Sequence, residues 1–352
     1  MNRKPTLAVV GATGAVGAVM LQILSQHADV WGDVRLISSK RSAGRRPVVR
    51  GEETEVLALD EDALEGVDVA LFLVPEEVAA QWAPIAAAKG AVVVDNSAAF
   101  RMDPDVPLVV PEINPHAVRA RPRGIVASPG CTTLALIVAV GALHAEFGVS
   151  ELVVSAYQAA SSAGQDGVTA LRGQLSLVAG TRLGDSPGDV RRAVGDDGGP
   201  FAAPLALNVV PWSGSLREGG WSSEELRVRE ETRKILGLPE LRVSATCVRV
   251  PVVTAHSVSV HAKFENEVTV ARAHEILATS PGVVLYDDPA AGDYPTPADV
   301  VGTDPTWVGR VRRALDDERA LELFVCGDNL RKGAALNAVQ IAEAVAAEFA
   351  VD

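Results

Sequence analysis

The sequence predicts an α/β protein: an N-terminal Rossmann-like, doubly wound parallel sheet, followed by an α+β domain with a mixed sheet. Three observations carry this reading. Short, wholly apolar runs alternate with helical patterns through the first third of the chain, as buried parallel strands and crossover helices do. Gly11, Gly14 and Gly17 follow the first apolar run and open the first helix. Beyond residue 150 the strand-like runs change character and alternate apolar with polar residues.

The elements follow in order. Residues 6–10 (TLAVV) form the first strand, and residues 15–28 a helix with Val16, Val19, Met20, Ile23 and Leu24 on one face. Val34–Ser38, Val67–Val74 and Ala91–Asp95 are further strands, the last preceded by a helix over Val78–Lys89. Ile125–Ala127 ends this series. A helix from Thr132 to about Phe147 is apolar nearly all round and is therefore buried. Leu152–Gln158, Arg242–Pro251 and Ser257–Phe264 read as strands, the last two joined by a turn. Gly180–Pro204 is rich in Gly, Asp and Pro and reads as a long loop. Lys332–Phe349 is an Ala-rich amphipathic helix.

A chain of 352 residues suits two domains at roughly 150 residues each. Its 45 acidic against 32 basic residues give a formal charge of −13, which argues against nucleic-acid or anionic-membrane partners. Cys131, Cys247 and Cys326 form no disulfide framework, so a reducing cytoplasm is expected. The longest apolar stretch, Leu134–Leu143, is half a bilayer span. Arg3 and Lys4 before an apolar run imitate a signal peptide, but the glycine spacing in that run fits a nucleotide-binding turn better.

Gly11-Ala-Thr13-Gly14-Ala15-Val16-Gly17 has the strand-then-helix context of a dinucleotide fingerprint, in which backbone N–H groups approach a pyrophosphate at a helix N-terminus. At the end of the second strand, Ser38, Ser39, Lys40, Arg41 and Ser42 bring hydroxyls and positive charge but no acid. That composition suits the 2′-phosphate of NADP(H) rather than the free ribose of NAD. Cys131 lies at the mouth of the buried helix, where the helix dipole favours a thiolate, with Ser128 as the expected cap and Pro129 at the first helical position. Cys247 and Cys326 sit in apolar runs and read as small core hydrophobes. Of the six histidines, His256 ranks first as proton shuttle for the thiol; His27, His144 and His274 fall in helical patterns, His116 in a loop and His261 inside a strand. No HExxH or CxxC pattern occurs, and no metal site is expected.

These residues resemble the aspartate-β-semialdehyde dehydrogenase family over essentially the whole chain. The stretches that carry the likeness are GATGAVG at 11–17, RSAG at 41–44, DNSAAFRMDPDVPLVVPEIN at 95–114, the Cys131 segment, YQAASSAG at 157–164, EELRVREETRKILG at 224–237, RVPVVTAHS at 249–257 and DNLRKGAALNAVQIAE at 328–343. The resemblance implies NADPH-dependent reduction of L-aspartyl-4-phosphate to the 4-semialdehyde with release of phosphate, a step toward lysine, methionine and threonine. It implies that Cys131 forms a thioester, that His256 is the acid/base and that Gln158 orients the thioester. It further implies that Arg249 holds the substrate carboxylate, Arg101 the phosphate and Glu224 the ammonium, with Arg227 on the phosphate-contacting helix. Ser161, Gly164, Asn329 and Gln340 join the cofactor-binding set by the same likeness.

The implied architecture has residues 1–130 and 329–352 as the NADP-binding domain, residues 131–328 as the catalytic and dimerisation domain, and a homodimer or dimer of dimers. The resemblance is that of a divergent member. The family's Asn-Pro-Asn-Cys is here Ser128-Pro129-Gly130-Cys131, and its Ser-Gly-Ala-Gly is Ser161-Ser162-Ala163-Gly164. A usual Lys is Arg227, and Val74-Pro75-Glu76 replaces Ser-Ala-Gly. Two alternatives follow: the same chemistry on another acyl phosphate, such as an N-acylated glutamyl phosphate, or a non-catalytic nucleotide-binding paralogue.

Overall fold

The structure is a computed structural model that describes residues 3–27, 30–195 and 198–350. The described residues fall into two compact units: those within Met1–Gly130, Lys234–Gly237 and Gly333–Asp352, and those within Cys131–Arg233 and Leu238–Lys332.

In the first unit β1 (Leu7–Val10), β2 (Val34–Ser38), a small hairpin of β3 (Val48–Val49) and β4 (Glu52–Glu53), β5 (Val56–Ala58), β6 (Val69–Phe72), β7 (Val92–Asp95) and β8 (Ile125–Ala127) are the strands. Six of them make one sheet in the order β5-β2-β1-β6-β7-β8, with every pairing parallel. β1 and β6 are buried at all four positions, which is why their sequence shows no alternation. Helices α1 (Ala15–Gln26) and α2 (Glu76–Ala88) follow β1 and β6. The predicted first helix thus ends two residues early, and residue 28 lies outside the described residues. The strand order reverses between β1 and β6. In such sheets the C-terminal ends of the two strands at the reversal open a ligand crevice.

The second unit begins with α3 (Cys131–Phe147), then β9 (Val149–Gln158), α4 (Gly164–Val178), α5 (Asp189–Val194), α6 (Ser223–Leu236) and β10 (Arg242–Arg249). It continues through β11 (His256–Phe264), α7 (Val270–Thr279), β12 (Val283–Leu285), α8 (Pro297–Val300), β13 (Thr306–Arg313) and β14 (Ala320–Gly327). Its mixed sheet runs β10-β9-β11-β14-β13-β12. β10 pairs parallel with β9, and β11 antiparallel with both β9 and β14. α3 is buried at every position from Thr132 to Gly141 and packs on this sheet.

Several expectations change. The two strands joined by a turn are not a hairpin, because β9 lies between them. The connecting residues instead accept N–H bonds from the turn that follows β9: Ala160 to Val252 O (2.8 Å) and Ser161 to Val253 O (2.9 Å). The Gly180–Pro204 loop contains α5; residues 196 and 197 of it lie outside the described residues. Ser128 does not cap α3. Its N–H still follows the parallel sheet, bonding Asp95 O at 2.8 Å, and its hydroxyl accepts from Asn337, so the helix starts at Cys131. The C-terminal helix divides into a wide turn at Arg331–Ala335 and α9 (Leu336–Ala346), which packs into the first unit's core. Asp328–Lys332 stay with the second unit, where Asn329 bonds Ser161 and the Ala255 N–H.

Candidate active site

Cys131 is the first residue of α3 and His256 the first of β11. Their side chains meet: Sγ lies 3.1 Å from His256 Nε2. The imidazole is fully buried. Its other nitrogen, Nδ1, accepts the backbone N–H of Ala159 at 3.0 Å, so the ring proton sits on Nε2, facing the sulfur. Burial, followed by the positive charge of Arg249, pushes the His256 pKa down to about 3. The ring is therefore neutral and presents an N–H to the sulfur. His256 itself follows Ala255, whose φ of 79° is unusual for a residue with a Cβ. Asn329 Oδ1 fixes the Ala255 N–H at 2.9 Å.

Gln158, the last residue of β9, is buried with both amide atoms engaged: Nε2 donates to Thr132 Oγ1 (2.7 Å) and Oε1 accepts from Ser213 (2.6 Å). Arg249 ends β10. Burial lowers its pKa, while Cys131 and Glu224 act in the opposite direction. Its Nη1 donates to Ser162 Oγ and to Ala159 O (3.3 Å); Nε and Nη2 have no hydrogen-bond partner among the described residues. The guanidinium thus keeps one two-donor edge that matches a carboxylate. Cys247 and Cys326 are buried, and desolvation raises both thiols, Cys326 to about 11, so neither resembles a nucleophile.

In the first unit the β1–α1 turn forms a cradle. A Cβ on Gly11 would lie 2.2 Å from Leu73 O, and one on Gly17 would lie 2.3 Å from Gly11 O. Both positions therefore exclude a side chain. A cleft of about 690 Å³ opens at the reversal point of the sheet, lined by Gly11, Thr13, Gly14, Ser38, Ser39, Arg41 and Ser42 among others. Thr13 and Ser38 hydroxyls bond at 2.8 Å.

Family profiles match both units. "Semialdehyde dehydrogenase, NAD binding domain" covers residues 6–121 and "Semialdehyde dehydrogenase, dimerisation domain" residues 140–332. The aspartate-semialdehyde dehydrogenase of Corynebacterium melassecola is 46% identical over 96% of this chain and 98% of its own. The chain belongs to the aspartate-semialdehyde dehydrogenase family. The enzyme of that name from Streptomyces akiyoshiensis is 43% identical over 97% of this chain and 98% of its own. The crystal structure of aspartate-semialdehyde dehydrogenase II from Vibrio cholerae superposes with a TM-score of 0.89 at 36% identity, covering 97% and 98% of the two chains; a second structure of that enzyme is complexed with ASA.

The remaining residues that the family resemblance singled out separate into groups. Glu224 and Arg227, on α6, pair with each other at 2.6 Å. The helix is capped by Ser222 and Glu225, not Glu224: Ser222 N–H bonds Glu225 Oε2 at 2.8 Å, and Glu225 N–H approaches Ser222 Oγ at 3.3 Å. In the first unit Arg101 donates to Ser128 O (2.9 Å) and Asn96 O (2.8 Å). Gln340 reaches Glu112 there. Ser161 and Asn329 bond each other in the second unit, and Gly164 opens α4 at a φ of 71°. Lys40 is exposed and does not line the cleft, whereas Arg45 and Trp82 do. Ala15, Val16 and Gly17 support the cradle from α1 without lining the cleft. Glu76 starts α2 outside the cleft, which that helix lines with Pro75, Val78 and Trp82. Sequence reasoning missed Arg45, four residues beyond Arg41, although its charge was a signal. It missed Ser213 and the Ala159 backbone, which carry no signal in residue type. Among the described residues no helix is long and apolar enough to cross a membrane.

Proposed function

We propose that the chain reduces L-aspartyl-4-phosphate to L-aspartate-4-semialdehyde through a Cys131 thioester, using NADPH. The carrying observation is the 3.1 Å approach of Cys131 Sγ to an imidazole whose Nδ1 is occupied by a backbone N–H. A thiolate at Sγ is held by the Nε2–H of His256, by the first turn of α3 and by the charge of Arg249. It attacks the acyl carbon; the C–S bond forms, the C–O bond to phosphate breaks, and inorganic phosphate leaves. The nicotinamide cofactor supplies hydride to the thioester carbon when bound. The resulting oxyanion takes a hydrogen bond from His256 Nε2–H, and collapse breaks the C–S bond to return the thiolate and release the aldehyde. Arg249 offers its Nε/Nη2 edge to the α-carboxylate, Glu224 its carboxylate to the ammonium, and Arg227 its guanidinium to the phosphate. Gln158, clamped at both ends, fixes the start of α3 through Thr132.

The cradle fits a dinucleotide: two glycines have no room for a Cβ, and hydroxyls with Arg41 and Arg45 line the cleft beyond β2. That lining, without an acid at the end of β2, favours NADP(H) over NAD(H). The dimerisation-domain match supports a homodimer.

The test is phosphate-dependent reduction of NADP by L-aspartate-4-semialdehyde, run beside NAD and beside N-acylated glutamate semialdehyde. A turnover preference for aspartate semialdehyde with NADP is expected. Preference for the acylated substrate, or no turnover with either, overturns the reading.

A further inference from the structure

We propose that Ser162 is a positioning residue that sets the substrate-facing edge of Arg249. The proposal rests on the reading of Arg249 as the carboxylate-binding residue and adds to it a part played by a side chain where the family has glycine. Ser162 lies in the short 3-10 turn Ala160–Ala163, between the end of β9 and α4. Its hydroxyl has a defined polarity. The proton goes to Ala159 O at 3.0 Å, leaving lone pairs that accept from Arg249 Nη1. The same Nη1 reaches Ala159 O at 3.3 Å. One nitrogen of the guanidinium is thus anchored twice.

The anchoring decides orientation. An arginine loses several rotatable bonds when it binds a ligand, and a side chain held beforehand loses less. With Nη1 held on the turn, Nε and Nη2, which bond nothing among the described residues, remain as a pair. Those are the two donors of a side-on carboxylate fork. Glycine in this position would leave Nη1 only the long bond to Ala159 O. The anchor also ties binding to chemistry, because residue 159 gives its N–H to His256 Nδ1 and its carbonyl to Ser162 and Arg249.

The test compares Ser162→Ala, Ser162→Gly and Ser162→Thr with the parent enzyme in the phosphate-dependent oxidation of L-aspartate-4-semialdehyde. Alanine and glycine should raise KM for the semialdehyde by about five- to tenfold, as loss of an ordinary hydrogen bond does. KM for phosphate and for NADP should stay within about twofold, and threonine, which keeps the hydroxyl, should restore most of the loss. Melting temperature and the rate of Cys131 labelling confirm that each variant is folded around an intact thiol. An unchanged KM in Ser162→Ala overturns the proposal, as does a rise of equal size for all three reactants. Arg249→Ala separates the two levels. If that variant leaves the semialdehyde KM unchanged, the reading of Arg249 fails. If it raises KM while Ser162→Ala does not, only the role of Ser162 fails. In the double variant, Ser162→Ala should add nothing.

Discussion

At the scale of single residues, the site depends on which ring nitrogen carries a proton. The Ala159 N–H occupies His256 Nδ1, so an imidazolium would set two N–H groups against each other. The enzyme therefore runs with a neutral His256 through the physiological range. The pH profile of kcat/KM should show no inflection near 6.5 attributable to this ring, and His256→Gln should lower the profile without changing its shape; a lost inflection in the variant contradicts this. Cys131→Ser should reduce kcat by about a thousandfold or more, measured as NADP reduction, because the nucleophile itself is replaced. Ala255 is a second sensitive point. At φ 79° it stores strain of about 1–2 kcal/mol, but glycine would forfeit the buried methyl and gain unfolded-state freedom of similar size. Ala255→Gly should consequently be near neutral. Ala255→Val, β-branched and without space, should cost more than about 2 kcal/mol in urea unfolding and displace His256. The cysteine and the histidine were legible from residue type and context. The backbone N–H that chooses the tautomer was not, since an alanine amide looks like any other in a sequence.

Among elements, the β1–α1 turn and the start of α6 show how local signals translate. The glycine spacing identified the turn, but not the unequal demands of its members. Gly11 and Gly17 would drive a Cβ into carbonyl oxygens, whereas one on Gly14 would meet its nearest neighbour at 3.4 Å. Gly17→Ala should cost about 3 kcal/mol in thermal or urea unfolding, while Gly14→Ala should cost about 1 kcal/mol or less. Arg45→Ala should raise KM for NADP about tenfold and leave KM for NAD nearly unchanged, which separates a phosphate contact from general attraction. Strands β12 to β14 went unassigned in the sequence, because their segments carry no motif and lie far from the glycine fingerprint. The order β10-β9-β11 was equally hidden: a turn between two strands says nothing about a third strand inserted between them. The fold class survived these omissions because alternation of apolar strands with helices over the first 130 residues already fixes a parallel, doubly wound sheet.

For the whole molecule, the buried imidazole has a thermodynamic consequence. The His256 pKa lies near 3 in the fold against 6.5 unfolded, so the unfolded chain binds the extra proton between these values. Its contribution to stability is complete above about pH 6.5 and is lost progressively as the pH falls toward 3. Urea unfolding at pH 7, 5.5 and 4.5 should show a shallower acid loss in His256→Gln than in the parent protein; parallel curves would argue against it. The peptide groups on either side of Ala159 bear on any effort to change what this enzyme accepts. One bonds the His256 imidazole and the other Ser162 and Arg249, so a laboratory-evolved variant that moves this turn will trade turnover along with selectivity. Substitutions on α6, where Glu224 and Arg227 pair with each other, leave that shared joint untouched.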